Sequence, residues 1–143
     1  MKLLRNLFFA ALALVAGLSA AHAADRAEKV VYHITDSANA TAALNNIRNH
    51  LNASPKAQIV VVAHGAGIDF LLDGAKNKNG NPYDVVVQQL VDTGHVQFRV
   101  CNNTLEARKI DKKEVIPEAT IVPSGVAEVA RLQLQEGYAY LKP

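Results

Sequence analysis

The chain has no tryptophan and only one cysteine, Cys101, among its 143 residues. A single thiol excludes an internal disulfide and any cysteine-rich metal site built within one chain. Neither sign of charge is in excess either: Lys2 and Arg5 fall in the first 23 residues, and beyond them 13 basic residues face 13 acidic ones. With no basic run longer than Lys112-Lys113, the footprint of a nucleic-acid binder or of a protein drawn to an anionic membrane is missing. Long hydrophobic runs are scarce too. The longest, Leu7 to Leu18, falls short of the roughly 20 residues that a spanning helix needs. No internal repeat and no low-complexity tract interrupts the chain.

What is present at the start is a charged segment, a short apolar run and a small-residue exit, Ala21-His22-Ala23. This order reads as a secretory signal peptide over residues 1–23, cleaved after Ala23. The expected product, residues 24–143, is one soluble periplasmic domain with no cysteine at its start to carry a lipid. Its 120 residues suffice for a core that buries about two thirds of the unfolded surface. In an exported chain an odd thiol has no internal partner, so Cys101 is either buried or used.

Along residues 24–143, β-branched runs alternate with helical patterns. Strands are expected at residues 29–34, 58–63, 96–100, 120–122 and 138–141. Asp36 or Ser37 can cap a helix whose apolar positions Ala40, Ala43, Leu44, Ile47 and Leu51 share one face. A short helix at Ile68 to Asp73 precedes a flexible loop, Ala75 to Asn81. Pro82 then opens a helix over 83–93 that stops at Gly94, and another runs from Gly125 to Glu136 and ends at Gly137. Strand, crossover helix and strand in succession predict a three-layer α/β/α fold on a five-stranded, mainly parallel sheet. In the third strand Gln97 and Arg99 alternate with Val96, Phe98 and Val100. One of its faces therefore meets solvent, a polar site or a subunit contact.

Open sheets of this kind bind ligands beyond the carboxyl ends of their strands. The first three strands end at His33-Ile34-Thr35-Asp36-Ser37, His64-Gly65-Ala66-Gly67 and Cys101-Asn102-Asn103-Thr104. If they are neighbours, one thiol and two imidazoles share a rim of hydroxyls, amides and glycines. A helix opening just after Cys101 favours the thiolate, and an imidazole such as His64 can take the thiol proton.

Val62-Ala63-His64-Gly65 with its small apolar continuation, followed by Val100-Cys101-Asn102-Asn103-Thr104 opening a helix, resembles the DsrE/DsrF-like family. The resemblance runs from the Tyr32-His33-Ile34 strand to the terminal Tyr138-Ala139-Tyr140-Leu141 strand. It implies the same three-layer fold, assembly as homotrimers or homohexamers, and relay of sulfur as a persulfide on a cysteine after a strand, the position held by Cys101. Export departs from that pattern, because the sulfur-relay members work in the cytoplasm with partners that an exported chain does not meet. The donor and the acceptor are left open.

Three functions follow. The first is a sulfur carrier or sulfurtransferase with Cys101 as nucleophile, His64 assisting, and His33, Asp36, Ser37, Gly65, Gly67, Asn102, Asn103 and Thr104 lining the site. The second is a non-enzymatic oligomer that binds a small ligand or partner at the same rim. The third is a zinc or copper site of His33, His64 and Cys101, which no close ligand pair supports. Bland roles compete with each residue: His64 can end a strand, His33 can simply pack, and Asp36, Ser37, Asn102, Asn103 and Thr104 are good helix caps. Gly65 and Gly67 lack the third glycine and the acidic partner of a dinucleotide fingerprint, so no cofactor is expected. His50 and His95 read as surface positions.

Overall fold

In a computed structural model, which describes residues 28–143, a five-stranded sheet carries four α-helices. The expected signal segment 1–23 lies outside the described residues. The strands are β1 (Lys29–Asp36), β2 (Gln58–Ala66), β3 (Val96–Cys101), β4 (Ala119–Val122) and β5 (Ala139–Leu141). The helices are α1 (Ala40–Ala53), α2 (Tyr83–Val91), α3 (Asn102–Arg108) and α4 (Gly125–Glu136). Every strand pair is parallel, in the order β4-β3-β2-β1-β5. The chain winds outward from β1 to β4 and then returns to the far side of β1. Right-handed crossovers accordingly put α4 on the face opposite the first three helices.

The two faces differ in what covers them. On one, Ala40, Ala43, Leu44 and Ile47 of α1, Val87 and Leu90 of α2 and Leu105 of α3 pack on the alternate positions Val30, Tyr32, Ile34, Ile59, Val61, Phe98 and Val100. On the other, α4 alone presents Val129 and Leu132 to Val31, Val60 and Val62. Burying such side chains contributes about 1.5–3 kcal/mol each, so the first face is the main core. Continuous apolarity in β2 follows from its position between β1 and β3, with both of its faces covered.

Several local expectations shift. β1 and β2 run on through Asp36 and Ala66, so His64 lies within a strand rather than in the turn after it, while His33 lies inside β1 as expected. Asp36 caps a 3-10 turn, Ser37–Asn39, that leads into α1, and the short helix expected at 68–73 shrinks to a 3-10 turn, Asp69–Leu71. α2 stops at Val91, two residues early. Leu51 only packs against the edge of the core. The loop expected to be flexible is folded: Asn77 Oδ1 accepts from the amides of Asn79 and Asn81 at 2.9 and 3.1 Å, and Tyr83 N–H donates to Ala75 O. Nor are His50 and His95 plain surface positions. His50 joins the Tyr32 hydroxyl to Glu28, at 2.9 Å to each, and His95 bonds the Gln58 amide at 2.8 Å. Among the described residues no helix is long and apolar enough to cross a membrane.

Candidate functional site at the carboxyl ends of the strands

Alternation along the strands decides which residues meet. Val31, Val60 and Val62 face α4, so His33, His64, Arg99 and Cys101 continue that same face toward the carboxyl ends. β2 lies between β1 and β3, and its register pairs Val62 with His33 and Ala63 with Val100. The next step along β2 and β3 sets His64 beside Cys101. The His33 and His64 rings lie 4.7 Å apart between centroids, and His33 Nδ1 bonds the Tyr140 hydroxyl of β5 at 2.9 Å. His33 Nε2 is buried without a partner. Burial, then the neighbouring His64 and Lys142, holds the His33 pKa below its ordinary value, so this ring is neutral near pH 7.

Cys101 closes β3 and stands at the start of α3, only 5 % exposed. Burial pushes its thiol pKa up. The Gly125 N–H, the Thr104 hydroxyl and the N–H groups of Thr104 and Asn103 act against burial and win, leaving the thiol below its ordinary value. Two helix starts therefore converge on one sulfur. The Thr104 hydroxyl can donate its proton to the sulfur because its oxygen already accepts from Gly65 N–H at 3.0 Å. Arg108 in turn holds Gly65 O at 3.1 Å and Asp69 at 2.5 Å, which fixes the end of β2 against α3.

The sulfur's surroundings depend on Gly125. A Cβ placed there would lie 3.1 Å from Cys101 Cβ and 3.2 Å from His64 Cβ, so a side chain would drive α4 away from both. Sequence reading took Gly125 only as a helix start. Its signal was present, since a glycine directly after the cap Ser124 weakens the first turn and calls for a close approach instead. Tyr140 and Arg108 were also missed, because contacts across 107 and 43 residues leave no local mark.

The other expected site residues divide. Thr104 and Asn103 help to lower the thiol pKa, the Asn103 N–H also donating to Pro123 O at 3.3 Å, while Gly65 acts through Thr104. Asn102 Nδ2 donates to Glu106 at 2.7 Å, and its Oδ1 is buried without a partner. Asp36 caps Ala38 N–H, and Ser37 Oγ donates to Ala66 O and accepts from Phe70 N–H, so both serve the fold. Gly67 packs its bare Cα against Ile34 O. The groups that lower the thiol pKa do not include His64. Arg99, the polar alternate of β3, pairs with Glu128 of α4, which Arg131 also holds at 2.8 Å. Among the described residues no group of three His, Cys, Asp or Glu side chains is arranged to hold a metal, so the His33, His64 and Cys101 metal reading finds no support.

The site combines an acidified thiol after a parallel strand with the strand order given above, and the profile of the DsrE/DsrF-like family matches residues 14–143. The chain belongs to this family. Among solved structures, a protein of unknown function, MTH1491 from Methanobacterium thermoautotrophicum, is similar at 30% identity with a TM-score of 0.71, over 81% of this chain and 99% of that one. The ychN protein from E. coli, at 16% identity and a TM-score of 0.67 over the same shares, shares the fold. No curated protein matches. The DsrE-like fold is linked to sulfur relay.

Proposed function

We propose that this DsrE-like protein carries sulfane sulfur as a persulfide on Cys101. The observation that supports the reading is the set of donors around one sulfur: Gly125, Thr104 and Asn103 stabilise a thiolate despite its burial. In the step, the Cys101 thiolate attacks the outer sulfur of a donor persulfide, R–S–SH. The donor S–S bond breaks, R–S⁻ leaves, and Cys101 becomes Cys–S–SH with no net oxidation. Passing the outer sulfur to an acceptor thiolate reverses the same exchange. His64 stands beside Cys101 and the neutral His33 behind it, against the His64 ring, as proton carriers, with Tyr140 orienting His33. At 5 % exposure Cys101 admits small donors far better than bulky ones.

The proposal extends to place and assembly. Residues 1–23 direct export to the periplasm, and the protein acts there as a homotrimer or homohexamer. Intact mass spectrometry of protein recovered from the periplasm without reductant is expected to give a chain starting at Ala24. After incubation with polysulfide it is expected to gain one sulfur atom, which Cys101→Ser does not. Alkylation by a small reagent should rise with pH through a midpoint below the free-thiol value of about 8.5. Thr104→Val should move that midpoint up. A thiol that titrates at or above the free value, resists the small reagent in the native protein and takes up no sulfur overturns the carrier. The buried sulfur then favours the second reading, an oligomer that binds a ligand or partner without chemistry.

A further inference from the structure

A cleft of substantial size lies away from Cys101. It encloses about 590 Å³ between the start of α1, the 3-10 turn at Asp69–Leu71 and the loop that precedes α2. This volume falls within the range of small-molecule sites, roughly 300–1,000 Å³. Its walls are fixed. The Thr41 and Tyr83 side chains meet across it at 3.1 Å, and Phe70 backs Tyr83 edge-on, with centroids 5.8 Å apart. Asn77 folds the loop from inside, and an antiparallel bridge from Lys76 to Pro82 closes it.

The charges lining the cleft are uneven. Asp69 is its one carboxylate, and Arg108 neutralises it at 2.5 Å. Lys76 and Lys78 have no ion-pair partner among the described residues. The cleft therefore carries an uncompensated charge of about two units beside the amides of Asn45 and Asn77. Lysine ammonium groups act as compact point charges and suit a compact, multiply charged anion such as a phosphate.

We propose that this cleft binds a small organic phosphate, its phosphate held by Lys76 and Lys78 and its uncharged part lying on Tyr83 between the asparagine amides. The site is separate from the sulfur chemistry proposed for Cys101, and neither depends on the other. The test is calorimetric titration of residues 24–143 at physiological salt with AMP, glycerol 3-phosphate, citrate and adenosine. Saturable binding of AMP or glycerol 3-phosphate is expected, with adenosine at least tenfold weaker. The Lys76→Gln/Lys78→Gln variant should weaken phosphate binding at least tenfold at an unchanged melting temperature. The proposal is overturned if neither phosphate binds, which includes a cleft filled by a second copy of the chain. Citrate binding alone, adenosine binding as well as AMP, or full affinity in the double variant also overturns it.

Discussion

At the scale of single residues, two glycines do different work within one fold. A Cβ on Gly67 would lie 2.2 Å from Ile34 O and 2.6 Å from Ile34 C, so the β1 backbone would have to move. On Gly125 it would meet side-chain carbons at 3.1 and 3.2 Å, which can give way by a few tenths of an ångström. Gly67→Ala should therefore lower stability by about 3 kcal/mol, the upper range for overpacking, as a fall in urea midpoint at unchanged slope. Gly125→Ala should cost much less, yet shift the α4 amide off the sulfur and raise the pH at which Cys101 alkylates. Equal losses of stability at the two sites would show that the α4 start is as rigid as β1. The sequence placed Gly67 in a glycine-bearing turn but held no sign of Ile34, which comes near only because β1 and β2 pair.

At the scale of elements, α4 decides the site. It is alone on its face, and beyond Val129 and Leu132 its hold on the sheet is the cluster of Arg99, Glu128 and Arg131. Hydrogen bonding by Arg131 lowers the Glu128 pKa against the opposing effect of burial, with Arg99 lowering it further. A carboxylate depressed in the folded state stabilises the fold above its unfolded pKa of about 4.3, and that stability is lost as pH falls through the lower folded value. Glu128→Gln should thus cost about 2 kcal/mol near neutral pH and flatten the acid limb of the stability curve, read by urea denaturation from pH 7 down to pH 3. An acid limb unchanged by the substitution would assign the pH dependence elsewhere. Helices and strands were legible because period and caps are local: the 40, 43, 44, 47 face and the Gly125 and Gly137 ends all stand. Which face α4 covers was not, since that follows from β5 crossing back to β1. The close approach of Gly125 to Cys101 exists only after that crossing.

At the scale of the molecule, the face that carries Cys101 is left unfinished. Three helices cover one side of the sheet, and α4 alone covers the other. Outward on α4, Val126 and Leu134 are 63 % and 86 % exposed and, with the exposed Ala130, follow the i, i+4, i+8 spacing of one apolar stripe. Next to the site, β5 is a three-residue edge strand with Tyr140 and Leu141 about 40 % exposed. A stripe and an edge of this kind favour burial against copies of the same chain in a closed ring, at roughly 800 Å² per partner. Light scattering at micromolar concentration should report three or six subunits. Val126→Lys/Leu134→Lys should yield a folded monomer, because two charges then face the stripe while the α4 core residues Val129 and Leu132 are untouched. Tyr140 links this surface toward the thiol through His33 and then His64, so the monomeric variant should also alkylate faster at Cys101 as the β5 edge opens to solvent. A wild-type monomer would remove the ring, and unchanged subunit number in the double variant would move the interface off α4.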